Sequence, residues 1–227
     1  MSDSAPLSCK SSVDPAAGSE PVGGRLIIIS GPSGVGKNTV VRRMAARRSF
    51  HFSVSATTRP ARPGESDGVD YHFIDPDAFS MMIREGRLLE WAEFAGSCYG
   101  TPKAEVLGPL ANGDDVVLDI EVTGAIHVMD MFPEAISVFV KPPSIGELEA
   151  RMRGRSDMTE AQISTRLALA GEQMKTGPPR FAHVVVNEDL EKTVDVIMHI
   201  IGSTVPKSSS GQEVTGRDEV RTRIDTT

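Results

Sequence analysis

An aliphatic run, Leu26 to Ile29, leads through Ser30 into Gly31-Pro32-Ser33-Gly34-Val35-Gly36-Lys37-Asn38-Thr39, and a helical stripe of Val40, Val41, Met44 and Ala45 follows. A strand, a glycine-rich turn and a helix in that order leave few architectures open. Glycines let successive backbone N–H groups turn inward, the start of the helix adds positive potential, and a lysine after the last glycine reaches phosphate oxygens. The spacing Gly31-x4-Gly36-Lys37 is that of a phosphate-binding loop, or P-loop. It departs from the usual pattern after the lysine. Ser or Thr commonly stands there and contacts Mg2+ through its hydroxyl, whereas this chain has Asn38, whose amide oxygen reaches further. Thr39 follows at once and can hold a metal-bound water or a phosphate instead.

Beyond the loop, apolar runs alternate with helical patterns. RLIII (25–29), VVLDI (116–120), AISVFV (135–140) and HVVV (183–186) lack polar alternation, as strands buried on both faces do. Asp77 is predicted to cap a helix carrying Phe79, Met82 and Ile83 on one face. Ser144-x-x-Glu147 and Thr159-x-x-Gln162 have capping-box spacing, and Leu190, Val194, Ile197, Met198 and Ile201 mark a last amphipathic helix. The pattern predicts an α/β fold: a P-loop core with a mainly parallel sheet flanked by helices. Residues 55–103 break the rhythm with polar, Pro/Gly-rich and aromatic residues, as an inserted lobe does. Residues 1–24 and 202–227 carry hardly any large apolar side chains and are expected to be disordered.

Composition narrows the partners. The 227 residues include 24 Lys+Arg against 31 Asp+Glu, a net charge of −7, which argues against nucleic acid as a partner. No apolar run approaches the ~20 residues that span a bilayer, so no membrane partner is expected. The first twenty residues lack the basic start and apolar stretch of a secretory leader. Cys9 and Cys98 alone build neither a disulfide framework nor a cysteine zinc cage, and the expected setting is reducing and cytoplasmic. The five histidines show no metal-ligand spacing.

The most specific stretch is HFSVSATTRPARPGESDGVDYHF (51–73). Its Arg59 and Arg62 offer planar guanidinium forks suited to a dianionic phosphate. Together with the P-loop it closely resembles the guanylate kinase family, whose members make GDP from GMP and ATP. The resemblance runs from about residue 25 to 201. It implies a core at 25–54, 104–151 and 179–201, a GMP-binding insert at 55–103 and a small helical lid at 152–178.

By the same resemblance, ATP lies on Gly31 to Thr39 with Asn187 near its adenine, and Mg2+ sits near Asn38, Thr39 and Asp119. GMP, with dGMP as a further acceptor, is held by Ser55, Arg59, Arg62, Tyr71, Glu90, Tyr99, Thr101 and Asp119. Glu90 would accept from the N1–H and N2–H2 donors of guanine, while Ser55 and Thr101 supply hydroxyls. Lys37, Arg59, Arg151, Arg155 and Arg166 are the expected catalytic cations, and Glu65 supports the loop that takes the acceptor phosphate. Several positions depart from the family. Glu121 replaces the usual Asp and could instead cap the next helix, Thr123 replaces Gln, and Ser156-Asp157-Met158 replace the usual lid residues. These departures leave two rival readings: a binding module for phosphorylated proteins on the same fold, or a kinase for a modified purine monophosphate.

Overall fold

The computed structural model describes residues 12–13, 23–94, 96–154 and 159–204. Three of the four apolar runs become strands because both of their faces are covered. The fourth, His183–Val186, corrects the expectation, for it forms the sheet edge and leaves Val184 and Val186 each 43% exposed on one face. Leu26–Ser30 (β2), His51–Phe52 (β3), Val116–Asp119 (β8), Ile136–Lys141 (β9) and His183–Val186 (β10) form a sheet in the order β10-β9-β2-β8-β3. Every pairing in it is parallel. Ile27 and Ile29 of β2 face one apolar cluster, with Val40 and Met44 of α1 (Lys37–Ala45) and Val194 and Ile197 of α7 (Leu190–Ser203). Leu26 and Ile28 face the other, with Val106 and Leu110 of α3 (Ala104–Ala111) and Val128 of α4 (Val122–Met131). Helices on both faces explain the absence of polar alternation.

The register fixes where chemistry can occur. Ile29 of β2 lies opposite Asp119 of β8, so the carboxylate that ends β8 stands beside the entrance to the P-loop. The Ser30 hydroxyl donates to the Ile120 carbonyl (2.8 Å) and ties the two strand ends together. Ligands of open parallel sheets bind at this C-terminal edge of the strands.

A second sheet has the order β1-β6-β7-β4-β5. It comprises Ser12–Val13 (β1), Leu88–Phe94 (β6), Ser97–Pro102 (β7), Ala56–Thr57 (β4) and His72–Phe73 (β5). Phe79 of α2 (Pro76–Arg84) closes a small core against Ala56 and Leu88.

Two further sequence expectations need correction. The cap of α2 is Asp75, whose side chain accepts from the Ala78 N–H (2.8 Å), and not Asp77. Pro76 favours the first helical position, which places the cap one residue earlier and leaves Asp77 in the first turn. In the amino-terminal segment expected to be disordered, Ser12–Val13 pair antiparallel with Trp91 and Glu90. The free edge of a sheet offers backbone donors and acceptors to an extended segment, a contact that requires no apolar side chain. The other predicted caps form. Ser144 accepts from Glu147 at the start of α5 (Ile145–Arg153), and Thr159 and Gln162 make a reciprocal capping box on α6 (Glu160–Thr176). Among the described residues no helix is long and apolar enough to cross a membrane.

Candidate active site

The P-loop turns as its glycines permit. Gly34 and Gly36 have φ of 84° and 104°, in the left-handed region, and a side chain on Gly31 would collide with the Val140 carbonyl. Gly36 occupies the N-cap of α1, so Lys37 and Asn38 open its first turn, while the Thr39 N–H turns back to the Gly36 carbonyl (3.1 Å). Lys37 is buried and donates to the Gly31 carbonyl (2.8 Å), which holds the ammonium across the loop.

This loop forms one end of a cleft of about 780 Å³. The structure brings Ser33, Gly34, Gly36, Lys37, Asn38, Thr39 and Arg166 together on its wall with Ser55, Arg59, Arg62, Tyr71, Glu90, Tyr99 and Asp119. Residues predicted from motifs far apart in the chain thus face one space.

At the second-sheet end, the two Arg59 guanidinium nitrogens donate to the two Glu65 carboxylate oxygens (2.6 and 2.8 Å). Glu65 also accepts from the Arg62 N–H (2.8 Å). Burial opposes the charge on Arg59, but the Glu65 pair outweighs it and keeps the guanidinium protonated. The Arg59 contact in turn holds the Glu65 carboxyl below its ordinary range. Arg59 stacks over Tyr71, 4.8 Å from the ring centre. Burial, with Asp119 adding to it, pushes the Tyr71 hydroxyl up to about 12, so it remains a donor.

Glu90 of β6 is 5% exposed and accepts from the Thr101 hydroxyl of β7 (2.6 Å). Burial pushes its carboxyl up to about 7; the Thr101 bonds oppose that and the nearby Glu121 charge adds to it. A buried acceptor of this kind selects a partner that brings its own donors. Gly124, in the first turn of α4, lies directly against this carboxylate.

Asp119 is pushed up to about 6 by burial, with Lys37 opposing and Glu121 adding. A cation beside it would relieve that strain. The oxygen donors of Asn38, Thr39 and Asp119 suit Mg2+, which takes one or two protein oxygens beside phosphate and water. Among the described residues no three His, Cys, Asp or Glu gather as a metal cage, and this mode of binding requires none.

Other expected residues stand elsewhere. Arg151 and Asn187 do not line the cleft. Arg151 donates to the carbonyls of Val35 (3.1 Å) and Asn187 (2.9 Å), and Asn187 Nδ2 donates to Val35 (2.8 Å), so both brace the P-loop from behind. Gly31, Pro32 and Val35 shape the loop without lining the cleft, and Thr101 acts through Glu90. Glu121 takes the N-cap position of α4 but makes no side-chain cap bond; it faces the cleft. Arg155 and the departures at 156–158 lie outside the described residues.

Sequence reasoning missed Gly124, and also Arg42 and Asp70, which both line the cleft and pair across it (2.7 Å). Gly124 stands directly after Thr123, already noted as a departure, yet only the fold shows what its missing side chain makes room for.

Comparisons with known proteins give the family. The guanylate kinase family model matches residues 23–204. A guanylate kinase of Thermosynechococcus vestitus is 46% identical over 187 residues, 82% of this chain and 97% of its own. One from Synechococcus sp. strain CC9902 is 49% identical over 172 residues, 75% of this chain and 91% of its own. The crystal structure of guanylate kinase from Anaplasma phagocytophilum superposes with a TM-score of 0.69 at 31% identity, covering 84% of this chain and 89% of that one. With a P-loop at one end of the cleft, a guanidinium pair and buried carboxylate at the other, and relatives aligned along nearly their whole length, this chain belongs to the guanylate kinase family.

Proposed function

We propose that this chain transfers the γ-phosphoryl group of ATP to GMP, giving ADP and GDP, and accepts dGMP in the same way. The observation that carries this reading is the shared cleft: the Lys37 loop and the buried Glu90–Thr101 pair open onto one space. ATP phosphates lie on the Gly31–Thr39 loop with Lys37 at the β/γ oxygens. The GMP phosphate is held by Arg59 and Arg62 with the hydroxyls of Tyr71 and Tyr99. Ser55 faces the guanine keto oxygen, and Glu90, aligned by Thr101, accepts from N1–H and N2–H2. Adenine lacks that donor pair and would leave the carboxylate buried and unpaired.

The acceptor phosphate is ionised near neutral pH, so no residue need act as a general base. The residues align the two phosphates in line, exclude water and spread positive charge over the transferring group, the terms that dominate phosphoryl transfer. Lys37 and Arg166 supply that charge. The family pattern assigns Arg155 the same part, while Arg151 acts by holding Val35 of the loop. Mg2+ bound with ATP near Asn38, Thr39 and Asp119 would neutralise charge on the β- and γ-phosphate oxygens. The reaction is assigned to the cytoplasm.

The test is turnover of a panel of nucleoside monophosphates by the full chain with ATP, with and without Mg2+. GMP and dGMP are expected to react and AMP, CMP and UMP to react poorly. Folded protein that leaves GMP unphosphorylated overturns the reading.

A further inference from the structure

Helix α6 turns a continuous inner stripe toward the rest of the molecule: Ile163, Arg166, Leu167, Ala170, Gln173 and Met174. Four of these six are apolar. The two polar ones, Arg166 and Gln173, stand seven residues apart, which is two helical turns and therefore the same face. Arg166 lines the cleft and reaches the Ser33 hydroxyl of the P-loop (3.4 Å). Gln173 is 9% exposed, and its Nε2 donates to Glu121 Oε2 (3.2 Å). One face of one helix thus touches the phosphate loop at one end and a cleft carboxylate at the other.

The Gln173 contact comes at the expense of satisfaction elsewhere. Its Oε1 is buried and has no hydrogen-bond partner among the described residues. A buried orphan of this kind destabilises a fold, and an apolar side chain of similar size would avoid it. Glu121 also forgoes a local bond: it stands at the N-cap of α4, where its carboxylate could cap the helix, and makes no side-chain cap bond. Both residues leave a local polar group unsatisfied while making one bond that joins two helices.

We propose that Gln173 is a positioning residue that ties α6 to Glu121 and so holds Arg166 and the Glu121 carboxylate in fixed relation across the cleft. The bond sets the rotation and axial register of α6. Arg166, two turns earlier on the same rigid helix, takes its place over the phosphates from that register. The role deepens the kinase reading and rests on it.

The test compares wild type, Q173M and Q173A in steady-state turnover of GMP with ATP and Mg2+, together with thermal unfolding. Methionine removes the orphan at similar volume, and alanine removes it in a good helix former. Both variants are expected to unfold at or above the wild-type temperature, with KM for ATP little changed. Their kcat is expected to fall about tenfold or more, as misplacement of a transfer group does. In an E121A background Q173M should bring no further loss, because the two residues act as one unit.

Wild-type kcat in Q173M, or losses that multiply in the double variant, overturn the proposal. Failure of both single variants to fold also overturns it, since the contact would then serve stability alone. Failure of the wild type to phosphorylate GMP is a separate result that strikes the kinase reading first.

Discussion

Gly124 and Glu90 are in contact at a distance only a glycine allows: a β-carbon at position 124 would stand 2.9 Å from Glu90 Cδ and overlap Oε2. The first turn of α4 therefore acts as a wall for the carboxylate, and Thr101 fixes its other oxygen from β7. The orientation of the Glu90 carboxylate is set by a helix of the core as well as by its own sheet.

Gly124→Ala should push that carboxylate aside while leaving the P-loop untouched. The expected result in steady-state kinetics is a KM for GMP raised about tenfold or more, with KM for ATP unchanged. Equal KM values for GMP in variant and wild type would show that the wall has no part in orienting Glu90.

The Glu90 carboxyl is held up to about 7 mainly by burial, and in the proposed reading it must be ionised to accept from both guanine donors. Below that pH the free protein carries a proton which GMP has to displace. GMP affinity should therefore fall about fourfold as pH drops from 8 to 6.5, most of it below 7, with a slope that approaches tenfold per unit only at lower pH. Calorimetry in two buffers at pH 7 should detect proton release on GMP binding. The folded state retains a proton that the unfolded chain gives up, so this group lowers stability as pH rises from its ordinary value through 7. Glu90→Gln should accordingly raise the unfolding temperature at pH 8, a gain that shrinks toward pH 4.5, while weakening GMP far more than ATP.

Lys37 holds its ammonium over the loop through the Gly31 carbonyl, poised for phosphate oxygens. Lys37→Ala removes charge that matters most when the phosphoryl group is in flight. A drop in kcat on the order of 10²–10³ is expected, with circular dichroism unchanged.

Asn187 joins the Val35 carbonyl to Thr193 of α7, whose hydroxyl donates to Asn187 Oδ1 (3.1 Å). Asn187→Ala cuts the link between the loop and α7, although Arg151 still donates to Val35 (3.1 Å) and the Thr193 hydroxyl keeps the Asp189 carbonyl (2.7 Å). Urea unfolding should show a loss of about 1 kcal/mol, with KM for ATP raised and GMP affinity unchanged.

The P-loop was legible in the sequence because its chemistry is local: the glycines, Lys37 and the helix start are contiguous. The strands β2, β8 and β9 were legible for the same reason, since cover on both faces erases polar alternation, but the same pattern overstated the cover of β10, an edge strand whose Val184 and Val186 are exposed. Arg59, Glu65, Tyr71 and Glu90 could be named from a specific motif, but their mutual geometry could not. Arg151 and Asn187 look like cleft residues in sequence and turn out to brace Val35, because which face of a strand end or helix meets the loop depends on packing between distant segments. Gly124 and Gln173 gave no signal at all. One matters for a side chain it lacks, and the other for a partner 52 residues away. Asp75 displaced Asp77 as a cap through a single proline, a local rule that the face pattern alone did not capture.

In the core sheet β2 lies between β8 and β9, and β3 pairs with β8, yet Ala56 to Pro102 are built between β3 and β8. A nascent chain leaving the ribosome thus presents β2 and β3 before the strand that joins them exists. The hairpin of β6 and β7, whose partners are close in sequence, can assemble first, and the nucleotide-gripping loop must wait for its scaffold. Synthesis order gives this protein the strands of its second sheet before the sheet that carries the P-loop can close.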